Sequence, residues 1–280
     1  MAKISVIGIT GNSTFMYTDH FHENGETAVA DSVYCEIGGK GINQAISASR
    51  MGAKVSFLAA VGDDSDAEKC AECCRDNGIK GFLVNKSLAT AMAFILTDRY
   101  GENRVTVYRG AQLEVRDLDG FAKEIAESDI LLLQNEVPEE VNIRAAEIAK
   151  EHGVKVILNP APARKLSSEL IKNVSLVTPN EQEASLIDLS LFEDTVVTLG
   201  KKGCLINGSV LIPATKDKPV DTTGAGDTFN GALAVCLAEG KSLEEACRYG
   251  NAASGISVTR NYVLNAIPTR EEIERKLKNE

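Results

Sequence analysis

The sequence predicts an α/β fold built on a central, mostly parallel sheet with helices on both faces, and three observations carry that expectation. From Ile130 onward strand-like and helix-like runs alternate: Ile130 to Leu133, helix Pro138 to His152, strand Val154 to Leu158, helix Ser167 to Ile171, strand Ser175 to Thr178. Lys3 to Ile9 (KISVIGI) is an apolar, β-branched run ending at Gly8, Gly11 and Asn12, the pattern of a buried first strand opening into a loop. Two glycine-rich stretches, Gly38-Gly39-Lys40-Gly41 and Gly224-Ala225-Gly226-Asp227, lead into the helical runs Ala45 to Met51 and Ala232 to Leu237. Both sets of glycines are therefore expected at helix starts.

The remaining elements follow in order. Between Ser13 and Ile37 the pattern is short, mixed and polar, with Thr27 to Cys35 able to form strands. His20 and His22 alternate with Phe21 as a strand would, which places both on one exposed face. Lys54 to Val61 reads as a buried strand, and Gly62-Asp63-Asp64 opens the next helix, the aspartates serving as caps. A second strand-rich passage, Thr90 to Arg109, turns at Tyr100-Gly101-Glu102-Asn103. Thr195 to Leu199 and Val210 to Pro213 are further strands, and Lys218 to Val220 leads into the second glycine-rich turn. Leu243 to Tyr249 and Asn251 to Val258 read as helix, and Thr269 to Lys278 as a solvated amphipathic helix.

Composition narrows the function. At 280 residues and 30.0 kDa, with 44% hydrophobic residues, the chain suffices for one α/β domain over residues 1–280, with or without a lid. A net charge of −10 and a pI near 5.0 exclude nucleic acid or an anionic membrane as the main partner, so an anionic ligand must meet local positive charge. No apolar run approaches the roughly 20 residues of a membrane helix, and Met1-Ala2-Lys3 leads straight into a strand, so a cytoplasmic location is expected. Seven scattered cysteines read as reduced, buried thiols. Cys70, Cys73 and Cys74 share a helix face, but no complementary Cys or His group lies nearby to complete a metal site.

The chemistry centres on Asp221 to Ala232. Three unpaired N–H groups at a helix start, with the positive end of its dipole, stabilise negative charge growing on a transferred phosphoryl group. Asp227 then faces a reacting hydroxyl whose proton it accepts or orients. Taken alone, Asp and Gly before a helix are also ordinary capping residues.

This stretch resembles the second signature of the ribokinase-like (PfkB) carbohydrate kinases, and Gly38-Gly39-Lys40-Gly41-Ile42-Asn43-Gln44-Ala45 resembles the first. The likeness runs from Ile4 to about Leu277 and is strongest toward the ribokinases of that family. It implies a three-layer α/β/α domain with a small β-sheet lid formed by residues of about 13–37 and 90–109. It also implies transfer of the γ-phosphoryl group of ATP to a hydroxymethyl of a small sugar. Asp227 would be the base and Gly224, Ala225 and Gly226 the anion hole. Gly38, Gly39 and Asn43 would contact substrate, Lys40 would support substrate or phosphate, and Glu136 would lie near the sugar hydroxyls. Asn180 and Glu183 match an Asn-x-x-Glu element that acts near Mg²⁺, Glu183 through water. Thr198, Gly200, Gly203 and Gly226 would lie along the nucleotide and Asn251 beside adenine. Asp221, Thr223, Ser257 and Arg260 occupy positions that surround an activating K⁺, largely through backbone carbonyls. A homodimer through the lid sheet would cover exposed strand edges. Asn159 to Arg164 also matches, without a chemical role of its own.

Several positions depart from the family pattern. Gly11 and Ser13 stand where sugar-binding Asn and Asp are usual. Arg109 stands where a small residue faces the sugar, and its guanidinium either selects a carboxylate or phosphate on the substrate or forms a salt bridge across the lid. Tyr262 and Ala266 replace two residues of the K⁺ ring, and only Ala184 to Asp194 fills a connection that usually holds another helix. Ribose leads the substrate candidates. A nucleoside, another pentose, a sugar acid or a sugar phosphate remains open, as does a sugar- or nucleotide-binding sensor on the same fold, and an adenine-nucleotide hydrolase comes third.

Overall fold

The computed structural model describes residues 1–279. In chain order the strands are β1 (Lys3–Ile7), β2 (Gly11–Tyr17), β3 (Ser32–Gly38), β4 (Lys54–Val61), β5 (Lys80–Asn85), β6 (Ala91–Thr97), β7 (Asn103–Tyr108), β8 (Ile130–Gln134), β9 (Lys155–Asn159), β10 (Leu176–Val177), β11 (Asp194–Thr198), β12 (Cys204–Ile206) and β13 (Val210–Ile212). The helices are α1 (Lys40–Arg50), α2 (Ser65–Asp76), α3 (Ala122–Ala126), α4 (Glu139–Glu151), α5 (Ser168–Ile171), α6 (Glu181–Ala184), α7 (Ala225–Ala238), α8 (Leu243–Ser257) and α9 (Arg270–Asn279).

The large sheet has the order β13-β12-β11-β10-β9-β8-β1-β4-β5, parallel from β5 to β11 and closed by antiparallel β12 and β13. Its strands read as unbroken apolar runs because both faces are covered. In β8 the alternation is resolved: Ile130 and Leu132 join the core under α1, α7, α8 and α9, while Leu131 and Leu133 join the core under α3 and α4. Strand order reverses on either side of β1, which leaves a crevice outside the C-terminal ends of β1 and β8.

A second sheet, β3-β2-β6-β7, stands over that crevice, with β2 and β6 parallel and the outer pairs antiparallel. The hairpin expected at residues 100–103 joins β6 to β7, with Gly101 at φ 82. Gly11 and Ser13, expected in a loop, lie inside β2, because Gly11 packs its bare backbone against Ala91 of β6: a Cβ there would meet the Ala91 carbonyl oxygen at 2.1 Å. His20 to His22 form no strand, since the ladder on β2 ends at Tyr17, and β3 starts only at Ser32.

Other boundaries shift for local reasons. Helix α1 begins at Lys40, so the first motif forms its opening turn. The two C-terminal helical runs are one helix, α8, capped by Ser242 and Glu245. Asp64 caps α2 as expected. Strands β5 and β12 and helix α3 carry no strong periodic signal; β5 is a half-buried edge strand holding a glycine. Helix α9 is amphipathic as expected, with Ile273 buried on its inner face.

Candidate active site

Gly224 is the residue before α7, in left-handed conformation at φ 73, and a Cβ on it would lie 2.5 Å from Val263 Cγ1. Only glycine turns the chain there without strain. The amides of Gly226 and Asp227 then have no protein acceptor among the described residues, whereas that of Ala225 donates to Thr222 O at 3.3 Å. Gly224 N likewise has no protein acceptor among the described residues, so three free N–H groups open the turn. They point out of the start of a 14-residue helix, where its dipole favours an anion.

Asp227 sits in that first turn and is buried. Its Oδ2 accepts from Asn43 Nδ2 at 3.0 Å and its Oδ1 from Gln44 Nε2 at 3.1 Å. Both donors come from consecutive residues of α1, brought close because Gly231 lets α7 cross α1 backbone to side chain: a Cβ at 231 would meet Ser47 Oγ at 2.5 Å and Gln44 O at 2.7 Å. Gln44, quoted within the first motif but assigned no role by it, is the addition the structure makes. It also donates to Asn159 Oδ1 and accepts from Gln134 Nε2, so an amide network from β8 and β9 orients the carboxylate. Asn43 Oδ1 is buried without a partner, an acceptor left for a ligand hydroxyl.

Lys40 and Glu136 complete the charged centre. Glu136 Oε2 accepts the Lys40 backbone amide at 2.8 Å and so caps α1 from across the crevice. The Asp227 carboxylate, with Glu136 and Glu183 further off, holds the Lys40 ammonium above the usual lysine range against the opposing effect of burial. Burial pushes the Glu136 carboxyl up to about 7, moderated by the Lys40 charge and more weakly by Arg109. The centre thus carries one cation among three carboxylates.

Asn180 and Glu183 form a capping box on α6: Asn180 Oδ1 accepts Glu183 N at 2.8 Å, and Glu183 accepts from Asn180 N and Nδ2, each at 2.9 Å. The pair thus caps its own short helix and still lines the site. A cavity of about 220 Å³ joins Glu183 to Lys40, Asp227 and the α7 turn. Alongside it a cleft of about 510 Å³ is lined by Asn180, Thr198, Gly200, Gly203, Gly226 and Asn251. Asn251 Nδ2 donates to the Ile212 and Pro213 carbonyls and fixes its side chain at the far end. Both Glu183 oxygens are engaged by Asn180, which fits a contribution to Mg²⁺ through water.

On the lid side Ser13 Oγ packs over Gly38, where a Cβ would meet it at 2.4 Å, and Gly39 is the residue before α1 at φ 113. Arg109 follows β7, exposed and in no salt bridge among the described residues. Among the described residues no salt bridge crosses the lid from Arg109. Asp221, Thr223 and the segment 257–260 are held together by donation from Val220 N and Asp221 N to Val258 O, while the Arg260 side chain turns away to Glu272. Asp221 Oδ1 accepts Thr223 N at 2.9 Å and Ser257 Oγ donates to Ser254 O at 2.9 Å. The cysteines are free thiols, with Cys70, Cys73 and Cys74 buried, and no group of acidic, His or Cys residues able to hold a metal occurs among the described residues. No helix among them is long and apolar enough to cross a membrane.

Comparison with known proteins gives this geometry its context. The chain is 37% identical to the ribokinase of Haemophilus influenzae, over 96% of each chain. Its structure is similar to the crystal structure of ribokinase from Thermotoga maritima, with TM-score 0.91, 37% identity and all of both chains covered. It is also similar to Arabidopsis thaliana ribokinase complexed with ribose and ATP, with TM-score 0.89, 27% identity and 99% of each chain covered. Residues 1–270 match the pfkB family carbohydrate kinases, and with a buried aspartate held at the free amides of a glycine-started helix, the chain belongs to that family of alcohol-directed phosphotransferases.

Proposed function

We propose that the protein transfers the γ-phosphoryl group of ATP to a hydroxymethyl of a small sugar, with ribose first among the candidates. One observation carries this reading: Asp227 is held by two amide donors beside two unpaired helix amides and the Lys40 ammonium. The ribokinase relatives and the ribose–ATP complex support the choice of sugar and nucleotide.

In this mechanism Asp227 accepts the proton of the attacking hydroxyl as that oxygen bonds the γ-phosphorus. The bond to the β–γ bridging oxygen breaks and its electron pair leaves on ADP. The amides of Gly226 and Asp227 hold the charge spread over the equatorial oxygens, and Lys40 neutralises the phosphate chain. Thr198, Gly200, Gly203, Asn180 and Asn251 seat the nucleotide in the 510 Å³ cleft. Glu183, through a water, would help hold Mg²⁺, which would supply positive charge against the phosphates. Asn43 Oδ1 and Glu136 accept sugar hydroxyls, and Gly38, Gly39, Gly11 and Ser13 contact the sugar from the lid side. Asp221, Thr223, Ser257 and Arg260 form the loop for an activating K⁺. Two copies pair through the lid sheet in the cytoplasm.

A second substrate class is favoured by one feature, the exposed, unpaired Arg109 guanidinium near Glu136, which suits a sugar acid or sugar phosphate. The test is ADP formation with ATP, Mg²⁺ and either K⁺ or Na⁺ across ribose, other pentoses, nucleosides, sugar acids and sugar phosphates. Ribose is expected to respond most strongly, and faster in K⁺. A response confined to anionic sugars, abolished in Arg109→Ala, transfers the assignment to that class. Asp227→Asn is expected to lower kcat by roughly 10²–10⁴-fold with little change in thermal stability. An active Asp227→Asn enzyme removes the base assignment.

A further inference from the structure

The segment that follows α8, residues 262–265, is gripped by the lid from one side. Glu36 of β3 accepts Val263 N at 2.9 Å and Leu264 N at 3.1 Å through its two carboxylate oxygens. Tyr34, two residues earlier on the same strand face, stacks its ring on Tyr262 with centroids 3.7 Å apart and planes at 21°. Its hydroxyl accepts from Asn265 Nδ2 at 3.2 Å. Phe15 of β2 meets Tyr262 edge-on at 5.7 Å, and burial, then Tyr262 beside it, push the Tyr17 hydroxyl up to about 12. Three aromatic residues and one carboxylate of the lid therefore converge on four residues of a loop outside it.

From its other side the same segment supports the turn before α7. Tyr262 N donates to Asp221 Oδ2 at 3.1 Å, and Asp221 Oδ1 holds Thr223 N at 2.9 Å. Val263 lies directly behind Gly224, the residue that opens the helix carrying Asp227. Tyr262 itself has φ 65, a left-handed backbone that a β-substituted residue adopts only where its surroundings impose it. Those surroundings are the rings of β2 and β3. Without them the backbone at 262 relaxes toward negative φ, and both the amide aimed at Asp221 and the side chain behind Gly224 move.

We propose that Tyr262 is a positioning residue that ties the lid sheet to the oxyanion turn, through the stack on Tyr34 on one side and Asp221 and Val263 on the other. Lid seating and the alignment of the Gly226 and Asp227 amides are then one event. The turn is fully ordered only when the lid that covers the sugar is in place. This inference rests on the reading of Gly224 to Asp227 as the phosphoryl-transfer site.

The test compares Tyr262→Gly, Tyr262→Phe, Tyr34→Leu and the double variant Tyr34→Leu/Tyr262→Gly in the full chain, using ATP, Mg²⁺ and ribose or whichever panel sugar turns over fastest. Glycine at 262 accepts the left-handed backbone but loses the stack. It is expected to lower kcat by about 10- to 100-fold, because small misplacement of catalytic groups has that cost. The KM for ATP is expected to stay within about twofold, and Tyr262→Phe, which keeps the ring, to retain kcat within about threefold. Tyr34→Leu keeps an apolar lid face and is expected to reproduce the loss, with the double variant no worse than Tyr262→Gly alone, the non-additivity of one coupled unit. The chain has no tryptophan, so near-ultraviolet circular dichroism of the tyrosine band reports the stack directly and is expected to fall in Tyr262→Gly and in Tyr34→Leu. Wild-type kcat in Tyr262→Gly and Tyr34→Leu, or losses that multiply in the double variant, overturns the proposal. Asp227→Asn separates the two readings: if it is active, the site assignment fails; if it is inactive while Tyr262→Gly is unimpaired, only the coupling fails.

Discussion

Glu136 shows how a single position sets a measurable pH dependence. Its carboxyl is pushed from an ordinary 4.5 to about 7, first by burial. It must be ionised to accept a sugar hydroxyl alongside the Lys40 amide. The KM for the sugar is therefore expected to fall as pH rises through about 7, and Glu136→Gln to flatten that profile. The sign for stability is the reverse. A carboxyl raised in the folded state binds its proton there more tightly than in the unfolded chain. Its contribution, on the order of 3 kcal/mol for a shift of this size, is fully present below 4.5 and lost as pH climbs through about 7. Thermal melts at pH 5 and pH 8 on wild type and Glu136→Gln check this: the wild type alone should lose stability from this group. The likeness to the first family signature singles out Lys40, but that its ammonium faces Asp227, Glu136 and Glu183 depends on three separate segments meeting.

At the scale of elements, the site depends on how closely α1 and α7 cross. Gly231 lies on a face of α7 that touches the Gln44 carbonyl and Ser47, and Ser47 Oγ donates to Thr228 O at 2.8 Å. Because the neighbours of an added Cβ include backbone, Gly231→Ala cannot be absorbed by a side-chain rotation. It is expected to lower stability by about 1–3 kcal/mol and to move Asn43 and Gln44 off Asp227. Denaturant unfolding and kcat measured together check it; unchanged values in both would mean that the crossing is looser than its geometry. The opposite lesson comes from α6. Its capping box is a local device, complete within Asn180 to Glu183, and it places Glu183 beside the cavity without help from distant residues.

The whole molecule adds an exposed lid. All six residues of β7 are exposed, and Val105, Val107 and Tyr108 present apolar surface along an unpaired sheet edge, with Val33 and Phe94 also open on the same sheet. An edge of this kind is normally covered. The protein is expected to sediment at twice its chain mass, and Val107→Asp to return it to the mass of one chain. A wild-type monomer at micromolar concentration would remove the lid-paired dimer.

What the sequence determined by itself were the features encoded within a few residues of one another. The alternation of runs after Ile130 specified parallel strands with helices on both faces, since a strand covered twice must be apolar throughout. The glycine-rich stretches marked two helix starts, because left-handed and unencumbered backbone leaves a local signature. The tertiary structure alone decided what those starts face. Gln44 holds Asp227 only because Gly231 lets two helices 183 residues apart in sequence touch. Gly11 lies in a strand only because β3 and β6 come to pair with it on either side. Tyr262 carries left-handed backbone only because lid rings close over it. Contacts between distant segments are set by packing and hydrogen bonding that no window of sequence contains, so the chemistry of the turn was legible while its supports were not.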